Sequence, residues 1–283
     1  QKISFPVFVF CFAAAGLAAP APVFCAPPHR RPSVVLVSLC SLRADRTSPY
    51  GYAGSATPAL SKLAKQGVVF ENAYANSNWT AAAVASMLTG KRPFSHGLLS
   101  YMDSLSPATP VIQSVLSENG YETAAFLAGL PGESHYGLSR GFGHILVDEE
   151  HHAMSRLVPA AVEWEKSLSP EKDFFMFLHA DDAHSPYRCS SGTYVNNGKF
   201  PEANSEFDTY YNGFPGFDLH KLDLEKWKQA LSYRGNTAFL SDLSNAYDLC
   251  VSRLDKDIAT LLSGLGAAGG RPLLIMIVLS STT

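Results

Sequence analysis

The chain has 283 residues, with 22 basic against 25 acidic side chains for a net charge of −3, 46% hydrophobic residues and 17% charged ones. Low charge with ample aromatics excludes intrinsic disorder, and near neutrality without a Lys/Arg run leaves no electrostatic footprint for nucleic acid. The length allows one large α/β domain or two small ones.

Residues 3–19, ISFPVFVFCFAAAGLAA, form an uncharged apolar run after Lys2 and lead into the proline-rich APAPVFCAPPHRRP. A bilayer span needs about 20 apolar residues, so residues 1–26 read as a secretory signal, with an N-terminal membrane anchor as the alternative. The protein is therefore expected to be exported, and membrane attachment is expected only through this segment. The five cysteines are Cys11, Cys25, Cys40, Cys189 and Cys250. Their spacing fits no disulfide framework or zinc pattern; an oxidised pair such as Cys189 with Cys250 and free buried thiols both remain open.

From Pro32 onward, short β-rich runs alternate with helical patterns, the signature of a sheet covered by helices on both faces. SVVLVSL (33–39) is a buried strand. Thr57 and Pro58 open a helix as N-cap and first-turn proline, and Gly67 ends it. VVF (68–70) reads as another strand. Residues 80–88 are helical, and Thr109 with Pro110 starts a helix that stops before Gly120. TAAFLA (123–128) and DFFMFLHA (173–180) are strands, with a helix around 152–168 between them. Residues 188–235, rich in Gly, Asn, Tyr and Phe, break the rhythm and read as an insertion or long surface loop. A long helix covers 237–263, and PLLIMIVLSS (272–281) is the last strand.

Four segments in order carry a family resemblance: VVLVSLCSLRADRTSPYGY (34–52) with ATPALSKLAKQGVVFENAYANS (56–77); NWTAAAVASMLTGKRPFSHGL (78–98); FLHADDAHSPY (177–187); and AYDLCVSRLDKDIATLL (246–262) leading into IVLSSTT. From Pro32 to the end the chain resembles the sulfatase branch of the alkaline phosphatase superfamily. The resemblance implies a central, mainly parallel sheet with helices on both faces, as one sulfatase-like domain over 32–283. It also implies that the smaller C-terminal subdomain of the family is missing. The substrates it implies are sulfated or phosphorylated small molecules or glycans, and the cofactor of an active member would be Ca or Mg.

A charged ester repels its nucleophile, so the family's chemistry needs a divalent cation held by hard oxygen ligands. The resemblance places those ligands at Cys40 and Ser41, and at Thr282 and Thr283, where this chain offers neither carboxylate nor imidazole. Arg43 and Asp45 match the pattern that follows. No tightly bound metal is expected, and Asp45, Asp181 and Asp182 are the candidate replacement ligands of an active alternative. Thr80 occupies the nucleophile position at a helix start; it either attacks the ester or simply caps the helix. Val84 stands where the family has a basic side chain. His184, with Asp182 and Tyr187, follows the strand-end pattern and would touch the substrate or leaving group.

Other features rank lower. Glu149, Glu150, His151 and His152 are consecutive and read as a solvated face. His96 and Gly97 match a family turn, Asn78–Trp79–Thr80 is a glycosylation sequon, and Tyr247, Asp248 and Asp255 belong to a helix that packs on the sheet. The expectation is an exported sulfatase-like protein, catalytically impaired by the loss of its metal ligands. The alternatives are an active sulfatase or phosphodiesterase/phosphoglycerol-transferase-like enzyme using Thr80, and a non-catalytic binder of sulfated or phosphorylated glycans.

Overall fold

A computed structural model of the chain describes residues 31–54, 57–130, 134–148, 153–184, 237–265 and 272–279. Residues Pro32–Thr283 form one compact unit, distinct from Gln1–Arg31. The 1–26 segment, the 188–235 loop, Glu149–His152, Tyr187, Thr282 and Thr283 lie outside the described residues.

Five strands, β1 (Val34–Cys40), β2 (Glu122–Ala128), β3 (His144–Asp148), β4 (Phe174–Ala180) and β5 (Leu273–Leu279), form a sheet in the order β3-β2-β4-β1-β5. Every pairing is parallel. The described helices are α1 (Pro58–Gln66), α2 (Thr80–Thr89), α3 (Pro93–His96), α4 (Ile112–Glu118), α5 (Met154–Ser167) and α6 (Thr237–Gly264), with two 3-10 turns at Ala44–Arg46 and Ser48–Tyr50.

A parallel sheet must hide both faces, and the side-chain alternation of each strand shows how this is done. Val35, Val37 and Leu39 of β1, Phe126 of β2 and Met176 and Leu178 of β4 join one buried cluster with α1, α5 and α6. Leu36, Ala125, Leu127, Phe175 and Phe177 point the other way, into a cluster with Ala81, Val84, Ala85 and Leu88 of α2. The small residues of α2 let that helix lie close to the sheet. Its start, at Thr80, is thereby brought over the carboxyl ends of β1 and β4.

Several local expectations change. Val68–Phe70 is no strand: Val68 and Phe70 are 81% and 71% exposed, and the run has no strand partner among the described residues. Its β-branched composition lacked an edge to pair with. The helix after Thr109 and Pro110 begins at Ile112 instead, because Thr109 N–H closes a turn onto the Ser106 carbonyl at 2.9 Å. Thr57 stands at the N-cap of α1, yet its hydroxyl accepts from Ser48 N–H at 2.8 Å; the helix start is capped by Asp255 of α6, whose two oxygens accept from Ala59 N–H and Leu60 N–H at 2.9 Å each. Strand β3 is an addition: it is short, on the sheet edge, and too exposed for its pattern to stand out.

Candidate functional site

The site is built where β1 and β4 end. Cys40 and Ser38 lie on the α2 side of β1, as do His179 and Asp181 at the end of β4, with Ser38 opposite His179 in register. Helix α2 drops Thr80 onto this edge, so that Thr80 Oγ1 lies 3.3 Å from Cys40 Sγ. The Cys40 thiol also lies 3.7 Å from Ser41 Oγ. Burial pushes the thiol above its ordinary pKa, the hydrogen bonds to Thr80 and Ser41 pull it back, and the neighbouring Asp181 charge raises it again. Cys40, 3% exposed, is thus a neutral thiol rather than a thiolate.

Thr80 does not cap α2. Trp79 holds the N-cap position without a side-chain cap, and Thr80 is the first helical residue. Its hydroxyl is spent on Cys40, and no described carboxylate or imidazole hydrogen-bonds it. A nucleophilic hydroxyl needs a base or a cation to lower its pKa. Thr80 therefore lies at a helix N-terminus, favourable for an anion, with no described base hydrogen-bonded to its hydroxyl.

Ser41 follows at φ 55°, the one described non-glycine residue with positive φ. This left-handed backbone suits Gly, Asn or Asp better than Ser. The turn is held by Tyr247 of α6, whose hydroxyl donates to the Ser41 carbonyl at 2.9 Å and accepts from Arg43 N–H at 2.8 Å.

The three candidate replacement ligands separate. Asp45 is turned out into an exposed ion pair with Arg43 at 2.7 Å. Asp182 accepts from Met154 N–H at 2.9 Å at the start of α5, and burial, with the charges of Asp181 and Asp257 adding to it, lifts its pKa to about 7. Asp181 alone stays beside Cys40, and it fits there because Gly129 at the end of β2 (φ 75°) has no Cβ; one built there would run into the Asp181 carboxyl. His184 turns back over Asp181, its N–H donating to the Asp181 carbonyl at 2.6 Å.

Sequence reasoning passed over His179. It is fully buried, with Nδ1 3.0 Å from Ser38 Oγ and no hydrogen-bond partner at Nε2. Burial drives its pKa down to about 4, with Asp181 pulling it up and His184 pushing it down. The available signal was a histidine inside an otherwise apolar strand, two residues from its polar end.

The side chains that were expected to be structural take such places. His96 is buried between Ser86 Oγ, 3.1 Å from Nε2, and Leu98 N–H, which donates to Nδ1 at 3.1 Å. Asp248 accepts from Tyr52 at 2.5 Å and pairs with Arg46 at 3.4 Å. Cys40 is a free thiol, whereas Cys250 is disulfide-bonded, with a partner that is not among the described residues, so the free-thiol alternative does not hold for Cys250.

One family model, Sulfatase, matches residues 32–280 of the chain. The chain belongs to the sulfatase family. It is 36% identical over 94 residues to an arylsulfatase of Clostridium perfringens, covering 33% of this chain and 20% of that protein. It is 24% identical over 213 residues to an N-acetylglucosamine-6-O-sulfatase of Bacteroides thetaiotaomicron, covering 66% and 38%. Among solved structures it resembles a protein in complex with its substrate D-glucosamine-2-N,6-O-disulfate, with TM-score 0.61, 15% identity and coverage of 88% and 65%. It also resembles the C-terminal periplasmic domain of EcEptC from Escherichia coli, with TM-score 0.57, 18% identity and coverage of 87% and 62%. The chain thus spans less than two thirds of these relatives. That periplasmic domain is also known as a Zn complex.

The donors present here do not fit a hard cation. At Cys40 and Ser41, two of the positions that the sequence resemblance assigns to metal ligands, stand a neutral thiol and a serine hydroxyl, both poor ligands for such an ion. Among the described residues no group of three or more His, Cys, Asp or Glu is placed to hold a metal.

Proposed function

We propose that the protein is an exported sulfatase-family domain that receives a sulfate or phosphate ester at the start of α2 and is impaired in cleaving it. The Cys40–Thr80 contact carries the proposal. It spends the nucleophile's hydroxyl on a thiol whose pKa is raised, at a position where the family's chemistry needs a carboxylate. Asp182 and Tyr187 belong to the strand-end segment beside His184, which supplies the polar contact to the ester. The apolar 3–19 run and the disulfide at Cys250 support export to an oxidising compartment. No described helix is long and apolar enough to cross a membrane.

A second reading, an active hydrolase or phosphoryl transferase using Thr80, is favoured by one observation: Asp181 lies at the site beside Cys40. Calcium and magnesium titrations by calorimetry, with aryl sulfate and phosphodiester hydrolysis assayed with and without EDTA, separate the two. The expected result is no stoichiometric metal and no turnover that depends on Thr80. Stoichiometric metal with EDTA-sensitive turnover, abolished by Thr80→Ala, establishes the second reading instead.

A further inference from the structure

Cys250 of α6 is buried and disulfide-bonded, while Cys40 is a free thiol. Of the five cysteines this leaves Cys11, Cys25 and Cys189 as partners for Cys250. The first two belong to the Gln1–Arg31 unit, and the third stands at the start of the 188–235 segment.

The reach of the chain separates these three. Tyr247, three residues before Cys250, holds the Ser41 carbonyl and Arg43 N–H, so this stretch of α6 stands at the carboxyl end of β1. Cys250 follows about 4.5 Å further along the helix axis. The end of β4 lies at the same edge of the sheet, because Ala180 pairs with Leu39. Beyond it, His184 N–H turns back onto the Asp181 carbonyl, and Asp182 is near enough to α6 for the Asp257 charge to raise its pKa. Cys189 comes five residues after His184. Five residues span at most about 17 Å, and bonded cysteines keep their Cα atoms about 5.5 Å apart. One strand spacing of about 5 Å and one packing layer of about 10 Å separate the end of β4 from α6, well inside that reach.

Cys25 starts from the opposite edge. The Pro32 carbonyl accepts from the Tyr121 hydroxyl at 3.2 Å, just ahead of β2, and Ser33 accepts from Phe174 N–H and Leu273 N–H at 3.1 and 2.8 Å, where β4 and β5 begin. The seven residues from Cys25 to Pro32 would have to recross the length of β1, about 20 Å, at nearly full extension. Cys11 lies inside the apolar 3–19 run that reads as a secretory signal.

We propose that Cys250 is bonded to Cys189, and that this bond pins the strand-end segment carrying His184 against α6, beside the Ser41 turn that Tyr247 holds. Forming it takes two protons and two electrons from the two thiols; a disulfide oxidant such as oxidised glutathione accepts them and leaves as two thiols. The bond closes a loop of about 60 residues that holds nearly all of the 188–235 segment, which limits how far the unfolded chain can spread. It needs an oxidising compartment, and it stands independently of any ester cleavage at the site.

The test equilibrates the full chain in a glutathione redox buffer, alkylates free thiols in urea and digests with trypsin without reduction. Mass spectrometry is expected to find residues 189–199 linked to residues 235–253, with Cys40 alkylated. A link from 235–253 to 3–30, the peptide that contains Cys11 and Cys25, overturns the pairing, and so does an alkylated Cys250. Proton NMR then reads the pinning. The His184 ring signal is expected to shift in Cys189→Ser while that of His96, buried under α2, stays in place; thermal melting checks that the variant folds. The same comparison on the unmodified chain before and after dithiothreitol makes the result independent of the substitution. A mapped Cys189–Cys250 bond with an unmoved His184 signal keeps the pairing and overturns its positioning role.

Discussion

Asp182→Asn and His179→Gln should tilt the pH dependence of stability in opposite directions. The folded pKa of Asp182 is about 7 against an ordinary 3.8, so its stabilising contribution is complete below about pH 4 and is lost as pH rises to 7. His179 is the reverse case: its folded pKa is about 4 against an ordinary 6.5, so its contribution is complete above 6.5 and is lost as pH falls to 4. At about 1.4 kcal/mol per tenfold change in proton affinity, the His179 effect is roughly 3 kcal/mol and the Asp182 effect at most roughly 4 kcal/mol, reduced because Asp182 keeps some contact with solvent. In the unmodified chain the two largely cancel between pH 4 and 6.5. The neighbouring charges are Asp181 and Asp257 around Asp182, and Asp181 and His184 around His179. Urea denaturation at pH 4.5, 5.5, 6.5 and 7.5 reads the effect. Stability of Asp182→Asn should rise across the lower part of this range, and that of His179→Gln should fall. If the difference between the two variants stays constant within about 1 kcal/mol, the assigned protonation states are wrong.

Two further stability predictions concern the frame. Asp255, 2% exposed, accepts from two helix-start N–H groups, so Asp255→Ala should cost about 3 kcal/mol in chemical denaturation and Asp255→Asn about half of that; an Asp255→Asn variant as stable as the unmodified protein would show that the charge and second acceptor contribute nothing. At Ser41 the left-handed backbone should make Ser41→Val cost about 2 kcal/mol of stability while Ser41→Asp costs under about 1 kcal/mol; a tolerated valine would contradict the positive φ.

Most strands and helices were legible because a buried parallel strand needs an uninterrupted apolar run and a covering helix needs one apolar stripe. DFFMFLHA and the α2 segment show both patterns. Val68–Phe70 misled because its residues have strand propensity but no edge to pair with. β3 was missed for the opposite reason: an edge strand five residues long is paired on one side only, and its exposed side chains carry little pattern. Strand pairing, unlike helical hydrogen bonding, is decided by segments far away in the chain.

The same division governs the site. Residue order determined the family frame and the chemistry available at its edge: a thiol at 40, hydroxyls at 41 and 80, a histidine at 184. Which groups meet was decided only by the fold. The Cys40–Thr80 contact joins positions 40 residues apart, Asp181 is admitted beside Cys40 by the bare backbone of Gly129, and His179 is set against Ser38 by strand register. A sequence lists donors and acceptors, but distances of about 3 Å between them, and the burial that sets their protonation, arise only when sheet and helix close around them.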